Sequence, residues 1–171
     1  QADILACAYA SHGDTKHVLL FPEDAKEAFL LTADALDLAD RLQTPVFVMT
    51  DLDIGMNERL CEPLAWDDAR TYDRGKVLTH DDLESGKRFG RYLDVDDDGI
   101  TYRTYPGTHP KRGSFFTRGT SRDRYARYTE EGSAYVDNMQ RLLRKFETAK
   151  LYVPEPVVKD SPRTTPHAVI Y

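Results

Sequence analysis

Three carboxylates alternate in the stretch LDVDDDGITYRTYPG: Asp94, Asp96 and Asp98, with Gly99 in the sixth place of a count begun at Asp94. Alternating carboxylates of this kind surround a calcium ion in an EF-hand loop, and the glycine permits its sharp turn. The same count brings Tyr105 to the twelfth place, where a bidentate Glu must close the shell. Pro106-Gly107 then stands where a helix should begin. A calcium ion here would lack its closing ligand. Asp-Gly between alternating residues is instead a strong hairpin signal, with Tyr92 and Asp94 on one side and Thr101 and Arg103 on the other. A hairpin is the expectation.

Other polar groups are less specific. Ser11, His12, Gly13 and Asp14 precede an apolar run and could form a polar site loop. A solvated or capping loop explains the same residues, and their spacing matches neither a zinc-protease helix nor a nucleophile elbow. Asp51 and Asp53 could touch a ligand or subunit, or simply form a turn. His80 and His109 lie in irregular stretches and read as surface residues, and no metal site is expected. Cys7 and Cys61 make no C-x-x-C pair, so this chain alone supplies neither a zinc site nor an iron–sulfur cluster. They read as small buried hydrophobes rather than a disulfide framework.

The elements that would position these groups are clearest early in the chain. His17 to Phe21 is an apolar run of strand length, and Pro22 with Glu23 and Asp24 suits the start of a helix. From Ala25 to Leu42, one row of apolar residues is Ala28, Leu31, Ala35, Leu38 and Leu42. A second is Ala25, Phe29, Ala33 and Leu36, which predicts a helix packed on more than one side. Gln43-Thr44-Pro45 ends it, and VFVMTD is a second strand. Strand, helix and strand make a βαβ unit with parallel strands. Ligands of open α/β sheets sit beyond the carboxyl ends of strands, here near Pro22 and Thr50-Asp51.

From Leu52 to Arg91 charged and turn residues dominate, as in an extended arm that wraps another surface. A second helix is predicted over 133–150, with Val136, Met139, Leu142, Leu143, Phe146 and Lys150 along one face. A Pro-rich linker then leads to an apolar ending, HAVIY. An ending in mid-strand suggests a piece of a longer polypeptide.

The chain has 171 residues, a formal charge of −6 and 40% apolar residues, with one Trp, ten Tyr and seven Phe. That composition supports a packed core. Arg, Lys and aromatics mingle in HPKRGSFFTRGTSRDRYARY, as in a single-strand nucleic-acid groove. The acidic remainder argues against nucleic acid and for a subunit contact. No run approaches the ~18 apolar residues of a membrane span, and a cytoplasmic protein is expected.

The stretch from Ala2 to Gly55 resembles the alpha chain of 2-oxoacid:ferredoxin oxidoreductases, most of all the 2-oxoglutarate branch. The resemblance rests on Pro22, Asp24, Glu27, Ala28, Phe29, Leu31, Thr32 and Ala35, then Thr44, Pro45, Val46 and Asp51. Further on, Pro106, Gly107, Phe116, Gly119, Gly132, Met139, Arg144 and Lys145 fit the family pattern loosely. The chain departs from it at Ser121-Arg122, where the family has Glu-His, and at Asn138, where it has His.

The resemblance implies an α/β fold. Residues 1–55 would be the end of a parallel-sheet, pyrimidine-type thiamine diphosphate-binding domain. Residues 56–150 would form a connecting arm with the hairpin and a helix, 151–166 a linker, and 167–171 the first strand of a next domain. The activity implied for the whole enzyme is oxidative decarboxylation of a 2-oxoacid to an acyl-coenzyme A, with electrons passed to ferredoxin. Thiamine diphosphate, magnesium and [4Fe-4S] clusters would be held mostly by a beta subunit, and none by this chain alone. The substrate loop and the thiamine-activating Glu would precede residue 1, which leaves Ser11, His12, Gly13 and Asp14 as the local residues closest to the cleft. A non-catalytic α/β assembly or binding module is the alternative.

Overall fold

The computed structural model describes residues 2–11 and 14–158. Its seven elements are α1 (Ala2–Ala8), β1 (Val18–Leu20), α2 (Ala25–Leu42), β2 (Val46–Val48), α3 (Leu52–Met56), α4 (His80–Glu84) and α5 (Gly132–Ala149). The expected βαβ unit is present: β1 and β2 are parallel, with Val18 opposite Val46, Leu19 opposite Phe47 and Leu20 opposite Val48.

Helix α2 begins where its chemistry says it should. The Asp24 side chain accepts from the Glu27 amide, a side-chain cap at the positive end of the helix. It ends at Gln43, which adopts the left-handed conformation (φ 52°) and returns its amide to the Ala39 carbonyl. Its first apolar row does the packing. Leu31, Ala35, Leu38 and Leu42 meet Val18 and Leu20 of β1, together with Ile100 and Ala149 from farther along the chain. The second row is only partly covered. Ala33 is buried and Phe29 meets Trp66 edge-on at 5.9 Å, but Leu36 is exposed.

Residues 62–74 run along the opposite side of α2 in the same direction as the helix. Lys26 pairs with Glu62, Arg70 with both Asp34 and Asp37, and Arg74 with Asp40. Carboxylates three apart share one helix face, and these arginines are their counter-ions. Irregular chain is thereby fixed to a helix without a ladder.

The acidic stretch is not a hairpin. No strand pairs across residues 92–103; the chain makes a compact loop instead. The physical reason is that its carboxylates are committed elsewhere. Asp94 accepts from the Gly99 amide at 2.9 Å and from Arg144 at 2.5 Å. Lys76 Nζ reaches Asp96 at 2.6 Å, both Asp98 oxygens at 2.7 and 2.9 Å, and the Ile100 carbonyl at 3.1 Å. A lysine ammonium occupies the place that the alternation suggested for a metal. Calcium is accordingly expected to leave the melting temperature unchanged. Lys76→Met is expected to cost about 1–3 kcal/mol, since it strands two carboxylates in a partly buried site; denaturant titration of both proteins checks it.

Gly99 has a second role: it lets the loop press against α5. A Cβ there would lie 2.3 Å from the Lys145 amide nitrogen and 2.6 Å from the Arg141 carbonyl oxygen. Helix α5 lies close to its predicted bounds, but its inward face differs. Leu142, Lys145 and Ala149 turn inward, while Val136 and Leu143 are exposed. Apolar spacing misjudges this face because Arg141 and Lys145 bring long apolar stems and donor heads to carbonyls of the Gly99 loop and of α2. The terminal strand expected at 167–171, and the part of the linker from 159 onward, lie outside the described residues.

Candidate functional site

Four cations converge between α5, the end of α2 and the loops that follow residues 90 and 119. They line an open pocket of about 300 Å³ whose only carboxylate among the described lining residues is Asp14. Tyr92 is the centre of the arrangement. The guanidinium groups of Arg91, Arg122 and Arg141 lie 5.4, 5.6 and 5.8 Å from its ring centroid, and Arg122 Nη1 donates to the phenol oxygen at 3.2 Å. A ring face carries negative quadrupole charge, so Tyr92 softens the repulsion among the three without neutralising any of them.

Each cation is held by neutral acceptors. Arg91 donates to Thr101 Oγ1 at 3.0 Å, Arg122 to the Gly119 carbonyl at 3.0 Å and Arg141 to the Gly99 carbonyl at 3.0 Å. Lys145 Nζ reaches the Gln43 carbonyl at 3.4 Å. No ion pair joins any of the four to a carboxylate among the described residues, whereas neighbouring Arg144 is paired with Asp94. Arg141 Nε is buried with no hydrogen-bond partner, as are Gln43 Oε1 and Asn138 Oδ1 on the same pocket wall.

Burial without compensation has a chemical consequence. Removal from water, with Arg141 and Arg91 nearby, brings the Lys145 ammonium down to about 7. Burial likewise lowers the Arg91 and Arg141 guanidinium groups, which remain charged.

The structure divides the loop residues singled out from the sequence. Asp14 lines the pocket and engages the Tyr135 phenol, raising its pKa. Ser11 instead hydrogen-bonds His17 Nε2 at 2.8 Å, while Thr44 Oγ1 meets Nδ1 at 3.2 Å. His17 is buried beside Phe47, and desolvation lowers its pKa, so it is neutral at pH 7. The unfolded chain takes up its proton near pH 6.5 and the folded chain only below that. His17 should therefore subtract stability as pH falls from 6.5 through its folded value, an acid-side slope that His17→Gln removes. His12 and Gly13 lie outside the described residues.

His80, Glu84 and His109 form a cluster whose donor atoms lie within 4.8 Å of one another. Its hydrogen bonds disfavour a metal. The Lys111 and Arg112 amides both donate to His109 Nδ1, at 3.0 and 2.9 Å, which fixes the ring proton on Nε2. That proton is donated to Glu84 at 2.6 Å, so a metal would have to strip it from the same nitrogen. The cluster joins α4 to the following loop.

The carboxyl edge of the sheet is also poorly suited to a diphosphate. Asp51 Oδ1 accepts from the Ile54 amide and Asp24 caps α2, so each helix start there is occupied by its own carboxylate. Asp53 and Glu23 add negative charge. The described residues do not fit thiamine diphosphate. The pocket lies at the opposite, amino edge, where Asp14 precedes β1 and Gln43 precedes β2.

Comparison with known proteins places the chain. Residues 1–148 match the family described as pyruvate flavodoxin/ferredoxin oxidoreductase, thiamine diP-binding. The chain belongs to this family. An alpha subunit of a 2-oxoacid:ferredoxin oxidoreductase from Aeropyrum pernix is 30% identical over 155 residues, 91% of this chain and 23% of that protein. The corresponding subunit 1 alpha from Sulfurisphaera tokodaii is 26% identical over 157 residues, again 91% and 23%. The 2-oxoglutarate synthase subunit KorA of Methanocaldococcus jannaschii is 31% identical over 84 residues, 49% of this chain and 19% of that protein. The chain thus spans about a fifth of the length of these relatives. No helix among the described residues is long and apolar enough to cross a membrane.

Sequence reasoning missed the pocket because its cations come from three separate stretches, two loops and α5. One signal was available. Ser121 and Arg122, from the stretch in which Arg, Lys and aromatics mingle, both line it.

Proposed function

We propose that this chain is part of the alpha subunit of a 2-oxoacid:ferredoxin oxidoreductase that acts on 2-oxoglutarate. The match over residues 1–148 carries this reading, and the names of the relatives support it. The reaction is oxidative decarboxylation to an acyl-coenzyme A, with electrons delivered to ferredoxin. When bound, thiamine diphosphate with magnesium supplies the carbanion chemistry of such enzymes, and [4Fe-4S] clusters relay single electrons. We assign these groups mainly to the beta subunit and to parts of the enzyme outside this chain.

Within that assembly, residues 1–55 complete the pyrimidine-type domain and 56–150 form the connecting arm. Of the loop singled out from the sequence, Ser11 and Asp14 border the substrate cleft; His12 and Gly13 lie outside the described residues. Ser11 orients neutral His17 beneath the loop, and Asp14 holds Tyr135 at the start of α5. The enzyme works in the cytoplasm.

The complete alpha subunit, co-expressed with its beta subunit, should reduce a ferredoxin-like dye in the presence of both 2-oxoglutarate and coenzyme A. Activity with pyruvate alone would keep the family and overturn the substrate. A complex loaded with its cofactors that oxidises no 2-oxoacid would overturn the function.

A further inference from the structure

We propose that the pocket around Tyr92 binds a small phosphoanion: phosphate, diphosphate or the phosphate group of an ester. The inference rests on the pocket alone and stands whichever 2-oxoacid the assembled enzyme uses.

Charge is the first argument. Arg91, Arg122, Arg141 and Lys145 face one space of about 300 Å³ with Asp14 as the single carboxylate among its described lining residues. Buried cations without counter-ions destabilise a fold, and proteins ordinarily pair them. Other arginines of this chain are held by carboxylates: Arg70 by Asp34 and Asp37, and Arg74 by Asp40. Arg91, Arg122, Arg141 and Lys145 have no such partner among the described residues, and all four line this pocket. A ligand bearing one charge would offset a quarter of the cationic charge, whereas a diphosphate offsets most of it.

Direction is the second. The cations surround Tyr92 instead of lying along a line, and they come from α5 and two separate loops. A planar carboxylate presents one edge to one guanidinium fork, whereas the tetrahedral oxygens of a phosphate accept from several sides at once. The volume lies at the lower end of ligand pockets, which suits a compact, highly charged group.

The third is the buried Arg141 Nε, a donor on the pocket wall with no hydrogen-bond partner.

Lys145 makes the binding sensitive to pH. An anion stabilises its ammonium, and that proton leaves near pH 7 in the free pocket. The charged and titratable groups facing it are Arg141 and Arg91, Asp14 across the pocket, Lys16 on its other side, and His17 before β1. Burial holds His17 below its ordinary value, so it contributes no charge at neutral pH and above. Sulfate, whose charge is constant over this range, should therefore bind more weakly at pH 8.5 than at pH 6.5, by roughly fivefold or more.

The test is calorimetric titration of the complete alpha subunit in its complex with inorganic pyrophosphate, citrate and acetate at pH 6.5. Pyrophosphate should bind tightest and acetate least. Arg141→Gln and Lys145→Met should each weaken pyrophosphate at least tenfold, while Arg141→Lys, which keeps the charge, should stay within about threefold. Lys145→Met should also melt higher than the parent, which separates loss of a ligand group from loss of the fold. Citrate binding tighter than pyrophosphate would overturn the phosphoanion assignment. Pyrophosphate affinity unchanged in folded Arg141→Gln and Lys145→Met proteins would overturn the site.

Discussion

Gly99→Ala is expected to destabilise the protein by about 2–5 kcal/mol. Two effects combine. Gly99 sits at φ 79°, where an L-residue is disfavoured by roughly 1–2 kcal/mol. Its added Cβ would also lie 2.3 Å from the Lys145 amide nitrogen and 2.7 Å from Lys145 Cα. The obstruction is helix backbone, which cannot swing aside as a side chain would, so α5 must move. Forced overpacking of that kind costs a further ~1–3 kcal/mol. Gly107→Ala is the matched control. Its φ of 84° imposes the same backbone strain, but nothing lies within 4 Å of its Cβ position. Equal losses for the two variants in denaturant unfolding would show that Gly99 matters only for its backbone conformation. The larger expected loss at Gly99 would show that the loop is pressed onto α5, and shifting α5 should carry Arg141 and Lys145 out of the pocket.

The same glycine shows which parts of the molecule were legible in the sequence. Its place after three alternating aspartates suggested first a calcium loop and then a hairpin turn. Both readings are local, while the decisive contacts come from Lys76, some twenty residues earlier, and Arg144, fifty residues later. The βαβ unit was readable because its signals are local too: Asp24 at a helix start, apolar residues every three or four positions, and Pro45 before a β-branched run. Helix α5 was readable as a helix and misread in orientation, because a period of apolar residues cannot show that Arg141 and Lys145 are drawn inward by carbonyl groups. Helices α3 and α4 are five residues each, too short for a periodic signal; what begins them is a side-chain cap at Asp51 and a capping box between Thr79 and Asp82. Of the candidate loop, Asp14 reaches the cationic pocket and Ser11 turns away to His17. No spacing rule separates those two outcomes, since both depend on how far α5 stands from β1.

Lys145 should dominate the alkaline side of the protein's stability. The group is held near pH 7 in the folded chain and near 10.5 once unfolded. Below pH 7 both states carry the proton, and the full cost of burying an unpaired ammonium weighs on the fold. Between 7 and 10.5 the unfolded chain binds more protons than the folded one, so stability rises with pH across that window. The ceiling is ~5 kcal/mol, and about 2–3 kcal/mol should appear by pH 9. Lys145→Met replaces the ammonium with an apolar tip of similar length. It should raise stability at pH 6.5 and flatten the slope above 7. Tyr135, its phenol raised by Asp14, ionises too far toward alkaline pH to imitate this, and Arg91 and Arg141 keep their charge throughout. A slope unchanged in the methionine variant would mean that the ammonium is already neutralised by a carboxylate, and the charge argument for the pocket would lose its centre. A slope that disappears, accompanied by higher stability at low pH, would mean that the protein maintains a destabilising charge at this position. An unpaired cation retained at such a cost is what an anion-binding pocket requires.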